Sequence, residues 1–321
     1  MIEYRQLAQI LVMFMIVMFF GMLLAIISFN GQSFQEIQGS ALFSSYTTAL
    51  FYIGYIVIVS AILVILFRTF NISKLFKVFE AVLIFISSFI VFSVFIGLIP
   101  YSFMNSVFGL PVGIGFIAAV ILALFLVYAK NRWQYLRNAV AMLSAVGVGF
   151  LLGVTFTFTI AVIFMVFLAA YDFIAVFITK HMLSLAKMAD ENNLALLIGV
   201  NDLEGIPKTN FDKKALKEYT QAQKSIKDST LKRLIREGYV PVAARIELGT
   251  GDLAMPLMVA VSAYTVYLNF VLPFFIIFGV VFGLILTMLI LKKYRRALPA
   301  IPPLLLGIAV FIGIYFLIRL L

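Results

Sequence analysis

Long apolar runs constrain this chain more than any other feature. Ile10–Phe29, read as ILVMFMIVMFFGMLLAIISF, contains no charged residue. At about 1.5 Å per residue, roughly 20 residues cross a hydrocarbon core about 30 Å thick. A segment in hydrocarbon must bond its own backbone N–H and C=O groups, which makes such a run a helix. The pattern recurs along the chain, which is 64% hydrophobic and only 12% charged. A soluble domain is nearer 45–50% apolar and about 25% charged. The expected fold is therefore an all-α polytopic membrane protein.

The runs are Ile10–Phe29, Thr48–Phe67, Ala81–Ile99 and Val107–Ala129, then an apolar stretch from Asn138 to Thr179 that is too long for one helix. It divides near Gly153 into Asn138–Gly153 and Thr155–Thr179. Leu253–Leu291 is also too long, and Asn269 and Pro273 mark its break. Pro302–Leu321 closes a count of nine spans. Basic residues test that count. Arg68, Lys74 and Lys77 lie between spans two and three, and Lys130, Arg132 and Arg137 between four and five. Half of all Lys and Arg lie between six and seven, and Lys292, Lys293, Arg295 and Arg296 between eight and nine. The connections after spans one, three, five and seven have none. This alternation is the positive-inside pattern; it sets the N-terminus in the cytoplasm and the C-terminus outside. It also accounts for the net charge of +10 as a topology signal, with no nucleic-acid partner implied. Met1–Gln6 carries one Arg and one Glu before a run long enough to span, so the first run reads as an anchor and not a cleavable signal.

Three parts follow: a six-span part at 1–179, a polar cytoplasmic loop at 180–248, and a three-span part at 249–321. Residues 180–247 hold 12 Lys/Arg and 9 Asp/Glu. A segment such as NFDKKALKEYTQAQKSIKDSTLKRLIREG reads as short surface helices or partly disordered linker.

Two acids stand apart. Asp172, in span six, precedes Lys180 by eight residues, roughly 12 Å from the cytoplasmic end. Asp252 opens span seven, which returns from the cytoplasm. Orientation alone brings both to similar depth on one side. (Glu80 also lies at a span edge, but beside Lys77, where it is expected to reach water.) Charge in a membrane is costly and marks a functional candidate, although one such Asp alone is also read as a bond between helices. Ala169 and Ala175 share the face of Asp172 and permit close packing. Near Asp252, Gly249 and Gly251 resist helix and Pro256 has no N–H for the Asp252 carbonyl. Regular helix is thus expected from about Met255. Pro299, Pro302 and Pro303 are likewise expected to keep the start of span nine irregular, as backbone lining a wet cavity can be.

Two carboxylates without metal ligands point to acid–base chemistry. A pair sharing one proton has an ionised member to activate water and a protonated member to polarise a carbonyl. It titrates as a unit. No cysteine is present and His181 is the one histidine, so disulfides, thiolate sites and an H-E-x-x-H zinc site are excluded. No metal or cofactor is implied, and no G-x-x-x-x-G-K-[ST] motif supports ATP-driven transport.

Tyr171-Asp172 in span six, Gly249-Thr250-Gly251-Asp252 at span seven and Pro299-Ala300-Ile301-Pro302 at span nine together resemble the presenilin and signal peptide peptidase family of G-x-G-D intramembrane aspartyl proteases. Thr179-Lys180-His181-Met182 is similar to the archaeal members. The resemblance implies catalytic roles for Asp172 and Asp252. It implies site support and substrate recognition at Pro299, Ala300 and Ile301, and a place beside the site for Tyr171. It also implies transmembrane-helix substrates that unwind before cleavage, with Gly249–Gly251 receiving them as a strand. Thr250 stands where Leu is common, bearing on substrate preference, and P-A-I replaces P-A-L, bearing on local packing. A multi-pass protein of a prokaryotic, archaeal-type cell membrane is expected, in contact with lipid and with no obligatory subunit evident. Rival readings are a proton- or cation-coupled transporter or leak channel using the same acids, and an idle scaffold that binds membrane helices. No inverted repeat favours transport. A prepilin-type peptidase shares G-x-G-D but fits the proline segment and span count poorly.

Overall fold

The structure is a computed structural model and describes residues 4–30, 72–97, 113–133, 136–178, 197–207, 239–294 and 299–320. Helices dominate: α1 (Tyr4–Asn30), α2 (Ile72–Gly97), α3 (Gly113–Arg132), α4 (Arg137–Thr155), α5 (Phe158–Phe173), α6 (Thr250–Tyr267), α7 (Val271–Tyr294) and α8 (Ile301–Leu320). Two strands, β1 (Leu197–Pro207) and β2 (Tyr239–Gly249), pair as a two-stranded sheet. The chain forms two compact units, one of residues 11–198 with 248–321 and one of residues 1–10 with 199–247.

Among the described residues, six helical stretches are long and apolar enough to cross a bilayer: Leu7–Phe29, Lys77–Gly97, Arg137–Thr155, Phe158–Ile178, Val271–Leu291 and Ile301–Leu320. The fifth expected span is present as a full 19-residue helix, α4. The break expected near Gly153 falls at Phe156–Thr157. The α6–α7 break falls at Leu268–Phe270, where Leu268 takes a left-handed φ of 48° and the Asn269 Oδ1 accepts the Val271 N–H at 3.2 Å. Expected span two lies outside the described residues.

The helix α6 is the centre of its unit. Twelve of its 18 residues are buried, from Leu253 through Thr265. It is not among the six apolar stretches because a helix enclosed by protein has no need of a lipid-facing surface. Glycines set how closely its neighbours approach. A β-carbon on Gly21 of α1 would lie 2.3 Å from Leu257. One on Gly149 of α4 would lie 2.8 Å from the Ala254 carbonyl oxygen, and one on Gly153 2.9 Å from that of Met258. Lipid tails are as apolar as leucine, so close backbone packing supplies the association that the hydrophobic effect gives in water. A second seam joins α7 to α8 through Gly279, Gly283 and Gly307.

Several expectations are corrected. Glu80 does not reach water beside Lys77. It is 1% exposed and forms an ion pair with Lys130 of α3. A charge that cannot reach solvent recruits its counter-ion from another helix. In the polar segment, residues 197–207 and 239–249 are paired strands, an element not expected there. Their sequences, LIGVNDLEGIP and YVPVAARIELG, carry the β-branched and aromatic residues that suit a strand. The stretch expected to form surface helices, 210–238, lies outside the described residues, as does His181. Two helix starts also differ from expectation, and both belong to the candidate site.

Candidate active site

Asp172 lies in the last turn of α5 and is 7% exposed. Ala169 and Ala175, three residues to either side, are 6% and 0% exposed. The face predicted for close packing is thus the buried one, and α5 packs on both α6 and α8. Beyond Phe173 the helix widens into a π-helical turn, Ile174–Ile178. The Ile174 N–H at this junction is shared between the Ala170 and Tyr171 carbonyls. Such turns insert a residue into a helix and are frequent at functional sites. Nothing in the apolar sequence IAVFI signals it. Tyr171 is partly exposed and adjoins Asp172.

The carboxylate of Asp172 meets the start of α8. Its Oδ2 accepts the Ile301 N–H at 3.3 Å, and the Ala300 N–H also faces it. The expectation of an irregular opening holds only for Pro299 and Ala300. Ile301 begins regular helix, with Pro302 and Pro303 inside its first turn. Proline is tolerated there because the first-turn N–H groups have no intrahelical partner. The two prolines thereby remove two donors, and the Ile301 N–H is left to bond a side chain of another helix. Pro299, Ala300 and Ile301 are all buried.

Asp252 sits in the first turn of α6, part-buried, three residues after strand β2 ends at Gly249. Helix starts at Thr250, with Gly249 as its N-cap, and not at about Met255 as the glycines and Pro256 led us to expect. The reason is a bond that propensity does not reveal: the Asp252 Oδ2 accepts the Gly249 N–H at 3.1 Å. This is half of a capping box, since glycine has no side chain to reciprocate. It holds the first turn closed. Pro256 is accommodated inside the helix, at the cost of leaving the Asp252 carbonyl without its intrahelical donor.

The fold brings Asp172, Asp252 and the Ala300–Ile301 backbone into one neighbourhood. The helices α5, α6 and α8 pack on one another, with Asp172 in the last turn of α5 and Asp252 in the first turn of α6. Gly249 and Gly251 differ in surroundings. A β-carbon at Gly249 would lie 3.1 Å from the Asp252 Oδ2, whereas one at Gly251 would meet nothing within 4 Å. Gly251 is exposed and Thr250 partly so, which leaves open space at Gly251, next to Asp252 in the chain. Among the described residues no group of three or more His, Cys, Asp or Glu side chains is arranged to hold a metal. Two carboxylates near each other, each tied by backbone donors at a helix start, can hold a water and pass protons to and from a carbonyl carbon's substituents. The glycine seam that brings α8 to this place was not read from the sequence, although Gly279 and Gly283 carry the small-xxx-small spacing that signals one.

Comparison with known proteins bears on the family and the fold. The family model described as signal-peptide peptidase, presenilin aspartyl protease matches residues 11–320. No curated protein matches the chain by sequence. The fold is similar to a solved presenilin family intramembrane aspartate protease in the C222 space group, with a TM-score of 0.56 and 18% identity over 95% of this chain and 94% of that one. A structure of such a protease in the P2 space group gives a TM-score of 0.54 and 19% identity over 95% and 96% of the two chains.

Proposed function

The chain belongs to the signal-peptide peptidase and presenilin aspartyl protease family, and from that membership we propose that Asp172 and Asp252 are its catalytic dyad. By the same membership the protein is an intramembrane aspartic endopeptidase with several membrane-crossing helices. The observation that carries the dyad is geometric: two carboxylates on packed helices, α5 and α6, each accept a backbone N–H at a helix start inside an apolar bundle that has little reason to hold either.

In this reading the pair shares a proton and a water. The ionised carboxylate takes a proton from the water as its oxygen attacks the scissile carbonyl carbon. The protonated partner gives its proton to the carbonyl oxygen, and a neutral tetrahedral diol forms. Collapse re-forms the carbonyl, breaks the C–N bond and delivers a proton to the departing nitrogen, restoring the shared-proton pair. The Ile301 N–H bond to Asp172 supports the reading by fixing the orientation of that carboxylate.

The substrates are transmembrane helices that unwind locally. Extended backbone at Leu248–Gly249 and the open space at Gly251 suit a peptide that pairs as a strand beside Asp252. Tyr171 and Thr250 border it, and Pro299, Ala300 and Ile301 support the site from α8. Nine spans with a cytoplasmic N-terminus, in a prokaryotic cell membrane, complete the proposal.

The test is cleavage of a single-span substrate by purified protein. Asp172→Ala and Asp252→Ala are each expected to abolish it, with a loss of about four orders of magnitude. Cleavage surviving in both variants refutes the dyad. An ion flux lost in either variant, without proteolysis in the wild type, returns the transporter reading.

A further inference from the structure

The Ile301 amide can bond Asp172 only if the start of α8 is held at the right depth against the bundle. What holds it is backbone contact with α7. A β-carbon on Gly283 would lie 2.5 Å from the Pro303 carbonyl oxygen, 2.7 Å from the Leu304 Cα and 3.1 Å from the Leu304 nitrogen. These are backbone atoms of the first turn of α8, so no side chain can turn away to relieve a clash. Pro303 and Leu304 share that turn with Ile301, and the Leu304 N–H bonds the Ala300 carbonyl at 3.4 Å. On the other side of Gly283, the buried Thr287 hydroxyl donates to the Gly283 carbonyl at 2.8 Å. A back-bond of this kind bends a helix at the carbonyl it engages.

We infer that Gly283, with Thr287 behind it, is a positioning residue for Asp172: its bare α-carbon lets the first turn of α8 approach α7 closely enough to carry the Ile301 N–H to the carboxylate. The inference rests on the dyad reading above. A methyl group at 283 forces Pro303 and Leu304 outward by about 1 Å to reach ordinary contact distance. The same displacement reaches Ile301, whose bond to Asp172 is already 3.3 Å long. A misplacement of about 1 Å at a reacting group lowers turnover by as much as about 100-fold.

Gly279 is a matched control. A β-carbon there would meet the Gly307 carbonyl oxygen at 2.6 Å and the Ile308 Cα at 2.9 Å, an equal insult one helical turn further along α8. The experiment measures kcat, KM and thermal stability for wild type, Gly283→Ala and Gly279→Ala, with affinity for a hydroxyl-bearing peptide isostere that mimics the tetrahedral intermediate. Gly283→Ala is expected to lower kcat about 10- to 100-fold with KM within about twofold, and to weaken isostere binding in parallel. Gly279→Ala is expected to lose similar thermal stability and only a few-fold in kcat. Wild-type kcat in Gly283→Ala overturns the inference, as do equal kcat losses in the two variants. Where Gly283→Ala does not fold, Thr287→Val carries the test. It removes the bond to the Gly283 carbonyl at constant volume and is expected to lower kcat several-fold at unchanged KM; wild-type kcat overturns the inference here too. A wild type whose cleavage survives Asp172→Ala and Asp252→Ala instead removes the dyad reading, an outcome distinct from either.

Discussion

A β-carbon at Gly251 would have open space, whereas at Gly249 it would press within 3.1 Å of the Asp252 carboxylate. Gly249 has extended backbone at φ −66° and ψ 143°, open to any residue, so a side chain there is constrained by the Asp252 carboxylate and not by the backbone. Among the described residues, nothing lies close enough to Gly251 to require a glycine there. That contrast makes Gly251 the cleaner probe of substrate approach. Gly251→Val is expected to fold with thermal stability close to wild type and to lose cleavage of a single-span substrate by about 100-fold or more. Gly249→Val is expected to lose cleavage as well, with altered stability, because it disturbs the bond that closes the first turn of α6. Full activity in Gly251→Val, measured beside its melting temperature, ends the idea that a substrate backbone passes there.

At the scale of elements, glycine seams and a buried ion pair join helices among the described residues. Glu80 and Lys130 join α2 to α3, both nearly inaccessible. Removing one member of a buried pair leaves the other charge uncompensated and costs about 3–5 kcal/mol, while an apolar replacement of both is often close to neutral. Glu80→Gln is therefore expected to destabilise strongly, and the double change Glu80→Leu with Lys130→Met to recover most of the loss. Unfolding of the four proteins of this cycle in detergent measures the coupling, and a double variant as unstable as the sum of its single changes contradicts it. The starts of α6 and α8 follow a common rule. Each is a helix N-terminus whose spare N–H groups are answered by an aspartate, Asp252 from within its own helix and Asp172 from α5.

At the scale of the molecule, orientation in the membrane is a matter of where the basic residues fall. The chain has no cysteine, so a single introduced thiol reports its own accessibility without background. Asn269→Cys, at the α6–α7 turn, is expected to react with an impermeant maleimide added outside intact cells. Lys293→Cys, beyond the apolar part of α7, is expected to react only after the membrane is opened. The reverse pattern inverts the topology and moves the proposed dyad to the other leaflet.

The amino-acid sequence by itself determined the bilayer as solvent, the helical class, the break points near Gly153 and Asn269, and the two acids worth following. Each of these rests on local content: run length, charge, and residues that interrupt a helix. The sequence also misled where local propensity was outvoted. Gly249, Gly251 and Pro256 argued for a late start to α6, but one side-chain bond from Asp252 to the Gly249 N–H closes the turn at Thr250. Lys77 stood nearest Glu80 along the chain, yet a buried counter-ion comes from Lys130, fifty residues away. Only tertiary structure decided which backbone meets Asp172, because the meeting of α5 with α8 depends on the approach of α7 and α8 at Gly283. Such an approach is set by the shapes of two helices together, and no stretch of either helix specifies it alone.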